Sequence, residues 1–197
     1  MPDTLSWFTV LFAAVFTNNI LLTNYLGMCP FLGASRELKT ATGLGSAVIF
    51  VMTTTSALNW VVYYGILQKL GLEHLRFIVF IVVIAAFTQI VEMIIDRVSA
   101  RLYAALGIFL PLIAVNCAVM GASLFMIIRE YTFIQSLAYG FGSGVGWTLA
   151  IMAMAGIREK MVRARVPLGL EGAGIALIIA GIMALAFTGF NGMMNIS

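Results

Sequence analysis

The sequence predicts an all-α membrane protein: six transmembrane helices forming two inverted three-helix repeats, with the first and fourth helices broken. Three observations carry that expectation. The chain of 197 residues is 62% hydrophobic and only 10% charged, with a mean hydropathy of +1.06; a soluble domain carries roughly 25% charged residues. Its uncharged runs are of membrane-crossing length. A short cysteine motif recurs about half a chain later.

The uncharged runs cover residues 4–35, 40–68, 77–91, 102–128, 131–157 and 172–197. About 20 apolar residues cross a bilayer as a helix, and all but the third run exceed that. The third reaches it when Glu92 is accepted within the span, which extends it to Ile95. The runs are continuously apolar instead of alternating, which argues against an outer-membrane barrel. The longest connection, Arg158 to Glu171, has 14 residues, so an extramembrane catalytic lobe is not expected. A soluble enzyme, a disordered chain and a disulfide scaffold are excluded, and nucleic acid is not expected as a partner. No cleavable signal peptide is expected, because Asp3 precedes the first run and no basic stretch does.

The first span holds Asn18, Asn19 and Asn24, then Gly27-Met28-Cys29-Pro30. The fourth holds Gly107, Pro111 and Asn116-Cys117. Proline interrupts a helix, and backbone freed at membrane depth needs partners inside the protein, so both spans read as broken. The asparagines are the expected partners of that unwound backbone. Gln68-Lys69-Leu70-Gly71 closes the second span, with a cation in the last turn and a glycine cap. Val166-Pro167-Leu168-Gly169 interrupts the basic linker before the sixth. In the fifth span Gly140, Gly142, Gly144 and Gly146 do not match a phosphate loop. They form two small-xxx-small pairs suited to close helix packing.

An even number of spans puts both termini on one side. That side holds Lys69, Arg76 and Arg129; the other holds Arg36, Lys39, Arg97, Arg101, Arg158, Lys160, Arg163 and Arg165. Positive loops stay cytoplasmic, so both termini are expected in the periplasm of a bacterial inner-membrane protein.

Cys29-Pro30-Phe31-Leu32-Gly33-Ala34-Ser35 aligns with Cys117-Ala118-Val119-Met120-Gly121-Ala122-Ser123, 88 residues later. The halves, about 1–98 and 99–197 of a single membrane domain, would each hold three spans. Three is odd, so the second half enters the lipid from the opposite face, as in inverted repeats whose broken helices meet at the midplane. The two cysteines are open to three readings: small apolar side chains, a disulfide pair, or metal ligands. A thiolate in hydrocarbon needs a compensating cation, and soft thiolates select iron–sulfur clusters, zinc or cuprous copper. Two cysteines make half of a four-cysteine [2Fe–2S] set, so a cluster would need two ligands from another chain.

The stretches Asn18-Asn19, Tyr25–Phe31, Leu106–Ala118, Tyr139–Trp147 and Gly156–Met161 resemble the NqrDE/RnfAE membrane family along the whole chain. Gly140–Trp147 and Gly156–Lys160 lean toward its Na⁺-translocating NADH:quinone reductase branch. Asn18-Asn19 and Cys29-Pro30 lean toward the Rnf ferredoxin:NAD⁺ oxidoreductase branch. The resemblance implies that Cys29 and Cys117 ligate the iron of an intramembrane [2Fe–2S] cluster shared with a homologous D subunit of opposite topology. It further implies a six-membered translocase that also contains A, B, C and F subunits. NADH, FAD, FMN, riboflavin and ubiquinone would be handled by those other subunits, and electron flow would drive Na⁺ export. No complete active site is expected on this chain.

Glu92, one turn before Asp96, is a candidate for the Na⁺ path, since intramembrane carboxylates are costly and a hard cation takes oxygen ligands. Alternatively it sits at the cytoplasmic interface and pairs with Arg97 or Arg101. His74 lies in a short connection and is expected to be solvated, and the twelve methionines read as packing. Two other functional classes remain open on the residues alone. One is a secondary transporter or channel without a redox centre; the other is a purely structural assembly subunit.

Overall fold

A computed structural model describes residues 6–98, 110–161 and 172–189. Every regular element among the described residues is helical. The first uncharged run forms α1 (Trp7–Val15) and α2 (Met28–Ala34), separated by the non-helical segment 16–27. The second forms α3 (Leu38–Val62), a π-helical turn (Tyr63–Leu67) and α4 (Gln68–Leu70). After a 3₁₀ turn at Glu73–Leu75 comes α5 (Arg76–Val98). The fourth run contributes α6 (Leu110–Ala114) and α7 (Cys117–Ile128), the fifth α8 (Phe133–Met161), and the sixth α9 (Ala173–Thr188). Three of these stretches, Leu38–Leu70, Glu73–Ile94 and Phe133–Met161, are long and apolar enough to cross a membrane. Leu112–Ile128 and Ala173–Thr188 are apolar but shorter.

The breaks expected in the first and fourth runs are present: residues 16–27 and 115–116 are not helical. In the first, the proline does not cause the break: Pro30 lies in the first turn of α2, where the missing N–H would have no helical partner in any case, so it starts a half-helix and does not kink a continuous one. Pro111 lies in α6, and the residues before Leu110 lie outside the described ones. The close of α4 is as expected: Gly71 adopts φ 67°, and the Leu72 N–H reaches back to the Leu67 carbonyl at 3.1 Å. The linker with Pro167 and Gly169 lies outside the described residues, as do Arg101, Gly107, Arg163 and Arg165.

The alternating glycines decide how the centre packs. Helix α8 lies between α3 and α1, and its interface with α3 is the most extensive among the described residues. Gly140 and Gly144 share one face: a Cβ on Gly140 would lie 3.0 Å from the Met52 carbonyl oxygen, and one on Gly144 2.9 Å from Ile49 Cα. Gly142 and Gly146 share the adjoining face and press on α1 in the same way, with the Leu11 and Val15 carbonyls 2.8 and 2.9 Å from the added carbons. Two helices thus touch α8 backbone to backbone. Thr148, one turn beyond Gly144, donates its hydroxyl to the carbonyls of Gly45 on α3 and Gly144. Without water, such close approach supplies the dispersion that holds membrane helices together.

At one end of the bundle the α7–α8 turn is tied by aromatics. Trp60 Nε1 donates to the Tyr131 carbonyl, and the Arg129 guanidinium lies 5.7 Å from the Tyr139 ring. In contrast, α5 leaves most of its surface outside the bundle: Phe77, Ile78, Ile81, Val82, Ile90, Met93 and Ile94 are all exposed. Exposed apolar side chains on that scale face lipid or another protein.

Candidate functional site

Sequence spacing puts the two cysteines 88 residues apart; the fold brings their motifs together. The amide of Gly27, two residues before Cys29, donates to Cys117 Sγ at 2.8 Å. Gly27 precedes α2 with φ 87°, a left-handed conformation open to glycine at little cost. A side chain there has no space either, because an added Cβ would meet Trp147 Nε1 at 2.5 Å and both Ala118 Cβ and Asn116 Oδ1 at 3.0 Å. Only glycine lets the α2 backbone reach the sulfur that begins α7.

Cys117 is the first residue of α7, and Asn116 is its N-cap: the side-chain oxygen accepts from the Ala118 amide at 3.0 Å. The sulfur therefore sits at the N-terminal, positive end of a helix of 12 residues. Both cysteines are free, and both are exposed on the chain's own surface. Exposure contradicts the reading of them as small buried hydrophobes. Among the described residues, no group of three or more His, Cys, Asp or Glu side chains could hold a metal. The chain presents two sulfurs on its own surface.

Asn19 closes the first break as the sequence suggests. Its Nδ2 donates to the carbonyls of Val15 at 3.3 Å and Gly146 at 2.7 Å, and its Oδ1 accepts from the amides of Leu21 and Leu22. One side chain thus serves the end of α1, the following turn and the centre of α8. Asn116 does the corresponding work at the second break. Asn18 and Asn24 do not: Asn24 is exposed and Asn18 half-buried, and neither side chain forms a hydrogen bond among the described residues. Neither serves the unwound backbone, so that expectation is corrected.

Arg158 was legible only as a cytoplasmic charge. The structure turns it inward: Nη1 donates to the Leu32 carbonyl at 2.9 Å and to Ser35 Oγ at 2.8 Å. It caps the C-terminal end of α2, satisfying a carbonyl the short helix leaves open. Glu92 lies half-buried on α5. Among the described residues it forms no ion pair with Arg97, which is exposed; Arg101 lies outside them. His74 is exposed in its 3₁₀ turn.

The residues at Cys117 suit a negatively charged, sulfur-rich group. Two thiols face outward, and the Gly27 backbone N–H already donates to one sulfur. Hydrogen bonds of this kind to ligand sulfurs are part of how proteins hold iron–sulfur clusters.

Helices throughout the described residues, three of them long and apolar enough to cross a membrane, define a class: integral membrane proteins. Residues 7–194 match the family described as Rnf-Nqr subunit, membrane protein, and the chain belongs to that family. The A subunit of the Na⁺-translocating ferredoxin:NAD⁺ oxidoreductase complex of Acetobacterium woodii is 52% identical over 184 residues, covering 93% of this chain and 96% of that protein. The E subunit of the Na⁺-translocating NADH-quinone reductase of Marinobacter nauticus is 49% identical, covering 95% and 98%. The corresponding E subunit of Klebsiella pneumoniae is 53% identical, covering 91% and 94%. The family resemblance is thereby established, and both of its branches are represented at about equal identity.

Proposed function

We propose that this chain is a membrane subunit of a Na⁺-translocating redox complex, in which Cys29 and Cys117 supply two of the four thiolates of an intramembrane [2Fe–2S] cluster. The other two come from a homologous chain. The observation that carries this reading is the convergence of the two cysteine motifs, sulfur to amide, at breaks that leave both thiols exposed on the chain's own surface. A channel or transporter without a redox centre has no use for outward-facing thiols, and the relatives named above belong to oxidoreductase complexes. When bound, the cluster supplies one-electron transfer between carriers on the two sides of the membrane.

The chain's own residues hold and shape that place. Gly27 and Asn116 start the two half-helices, Asn19 and Arg158 fix them, and α3 and α8 form the frame. Six spans in two inverted repeats, about 1–98 and 99–197, are the topology we infer, with both termini periplasmic in a bacterial inner membrane. That arrangement brings the two breaks to the middle of the bilayer. The D subunit would be the homologous partner, and the A, B, C and F subunits would carry NADH, FAD, FMN, riboflavin and quinone. The Gly140–Trp147 and Gly156–Lys160 blocks favour the quinone reductase. The Rnf relative at 52% identity supports the ferredoxin complex as the second reading, and the proteins that co-purify decide between them.

The test is iron and acid-labile sulfide in the purified complex, with Cys29→Ser and Cys117→Ser variants. Each variant should lose one [2Fe–2S] cluster and its paramagnetic signal, and electron transfer should fall by orders of magnitude. Full iron and full activity in both variants would leave this chain a structural assembly subunit. Glu92, half-buried in α5, is proposed to belong to the Na⁺ path. Na⁺-stimulated turnover should drop severalfold in Glu92→Ala, and unchanged stimulation removes it from the path.

A further inference from the structure

Helix α2 carries Cys29 near its start and meets two cations at its other end. Arg158, in the last turn of α8, holds that end through one nitrogen: Nη1 donates to the Leu32 carbonyl at 2.9 Å and to Ser35 Oγ at 2.8 Å. A guanidinium has five N–H donors in a planar fork, so its Nε and Nη2 edge can still serve an acceptor from outside. The side chain is half-buried and therefore open to one. Arg36 follows Ser35 directly and is exposed, and the two cations repel one another. The neighbouring carboxylates do not relieve that repulsion by pairing, among the described residues. Glu37 Oε2 accepts from Thr40 Oγ1 at 3.4 Å, and Glu159 is exposed. Like charges held together at a lipid boundary cost free energy, and an anion touching both offsets that cost. Arginine is well suited to a phosphate, which its fork can grip with two parallel bonds. Apolar surface adjoins the pair as well: Leu38 and Ile157, close to the two arginines in the chain, are 40% and 36% exposed.

We propose that Arg36 and Arg158 bind the phosphate of an anionic phospholipid, and that this lipid steadies the half-helix carrying Cys29. The phosphate oxygens accept from the free edge of Arg158 and from the Arg36 guanidinium, and an acyl chain covers Leu38 and Ile157. A free phosphate has the same charge but nothing to offer those two apolar side chains. A zwitterionic lipid brings its own cation to a place that already holds two. Basic groups at the membrane surface select anionic headgroups for this reason. Arg158 is the link to α2, because the guanidinium that takes the phosphate is the one that caps the helix. The inference uses the chain's place in a membrane and stands apart from the cluster reading.

The experiment places the intact complex in phosphatidylcholine nanodiscs with a trace of photoactivatable phosphatidylglycerol and maps the labelled peptides. Label is expected on the peptides that hold Arg36 and Arg158. Excess phosphatidylglycerol should displace it, and excess phosphatidylcholine or inorganic phosphate should not. Arg36→Gln is the informative variant, since it removes one cation and leaves the Arg158 cap on α2 in place. It should cut labelling about fivefold, the equivalent of about 1 kcal/mol for one basic residue at an anionic surface, and Arg36→Lys should recover part of it. Hydrogen exchange on the same samples reads the effect on α2. Its amides should exchange more slowly with phosphatidylglycerol than with phosphatidylcholine alone in the wild type, and at equal rates in Arg36→Gln. Labelling that Arg36→Gln leaves unchanged, or label found only on other peptides, overturns the site. Displacement by inorganic phosphate as readily as by phosphatidylglycerol overturns the lipid as its ligand. Exchange in α2 that ignores the lipid in the wild type overturns the steadying of the half-helix.

Discussion

The two cysteine segments read as copies of one another, and the fold treats them differently. In the first, helix α1 stops at Val15 and α2 begins only at Met28, leaving 12 residues of non-helical chain. In the second, only Val115 and Asn116 separate α6 from α7. The long break depends on contacts from elsewhere: Asn19 reaches Gly146 on α8, and Arg158 caps the far end of α2. The short break is closed locally, by the Asn116 side chain on an amide two residues ahead. The same requirement, pairing backbone that lipid cannot solvate, is thus met once by tertiary contacts and once by a helix cap. The sulfurs differ too, since Cys117 receives an N–H from the other segment while Cys29 receives none among the described residues. Sequence symmetry at a site does not guarantee symmetric chemistry.

If that contrast is right, disturbing α8 should harm the first segment far more than a comparable change harms the second. Gly146→Ala places a methyl 2.9 Å from the Val15 carbonyl, a backbone atom that cannot swing aside. Overpacking of this kind costs about 1–3 kcal/mol, and Gly146→Leu should abolish assembly. Gly121→Ala on α7 meets chiefly the flexible end of Leu26 and should cost well under half as much. Thermal unfolding of the purified complex compares them, at about 2–4 °C per kcal/mol for a chain of this size. Equal losses would erase the distinction.

The asparagines sharpen the comparison at a smaller scale. Asn19→Ala strips partners from two carbonyls and two amides and should cost about 2–3 kcal/mol. Asn116→Ala removes one helix cap and should cost about 1 kcal/mol. Denaturation midpoints in detergent check the order; a reversed ranking would contradict a tertiary closure of the first break. Smallest is Arg158→Ala, which uncaps α2 from a partly exposed position and should cost about 1 kcal/mol or less. Its Lys counterpart should recover part of the loss, because one cation can still reach the Leu32 carbonyl.

Much of this was readable in the sequence, because hydrophobicity and small-residue spacing are local properties. The uncharged runs marked the helices, and the alternating glycines marked the two faces of α8. Asn19 and Asn116 stood out as polar residues at interrupted spans. What the sequence concealed depends on distant partners. Nothing in Trp147 announces that its indole ends on Gly27, far away in the chain. Arg158 carries the same charge whether it faces water or a helix end. Asn18 and Asn24 share the composition of Asn19 but not its partners, which the register of the turn decides. Pro30 signals interruption correctly, yet as the start of a half-helix, since a proline in the first turn costs little.

The central claim is that the sulfurs of Cys29 and Cys117 grip one inorganic group jointly with a neighbouring protein. An iron-edge anomalous difference map of the assembled complex tests it most directly. The expected result is a single strong peak touching both sulfurs at the breaks before α2 and α7, completed by two thiolates of the homologous chain. A map with no iron there, or with iron ligated by other residues and these two sulfurs apart, would contradict it.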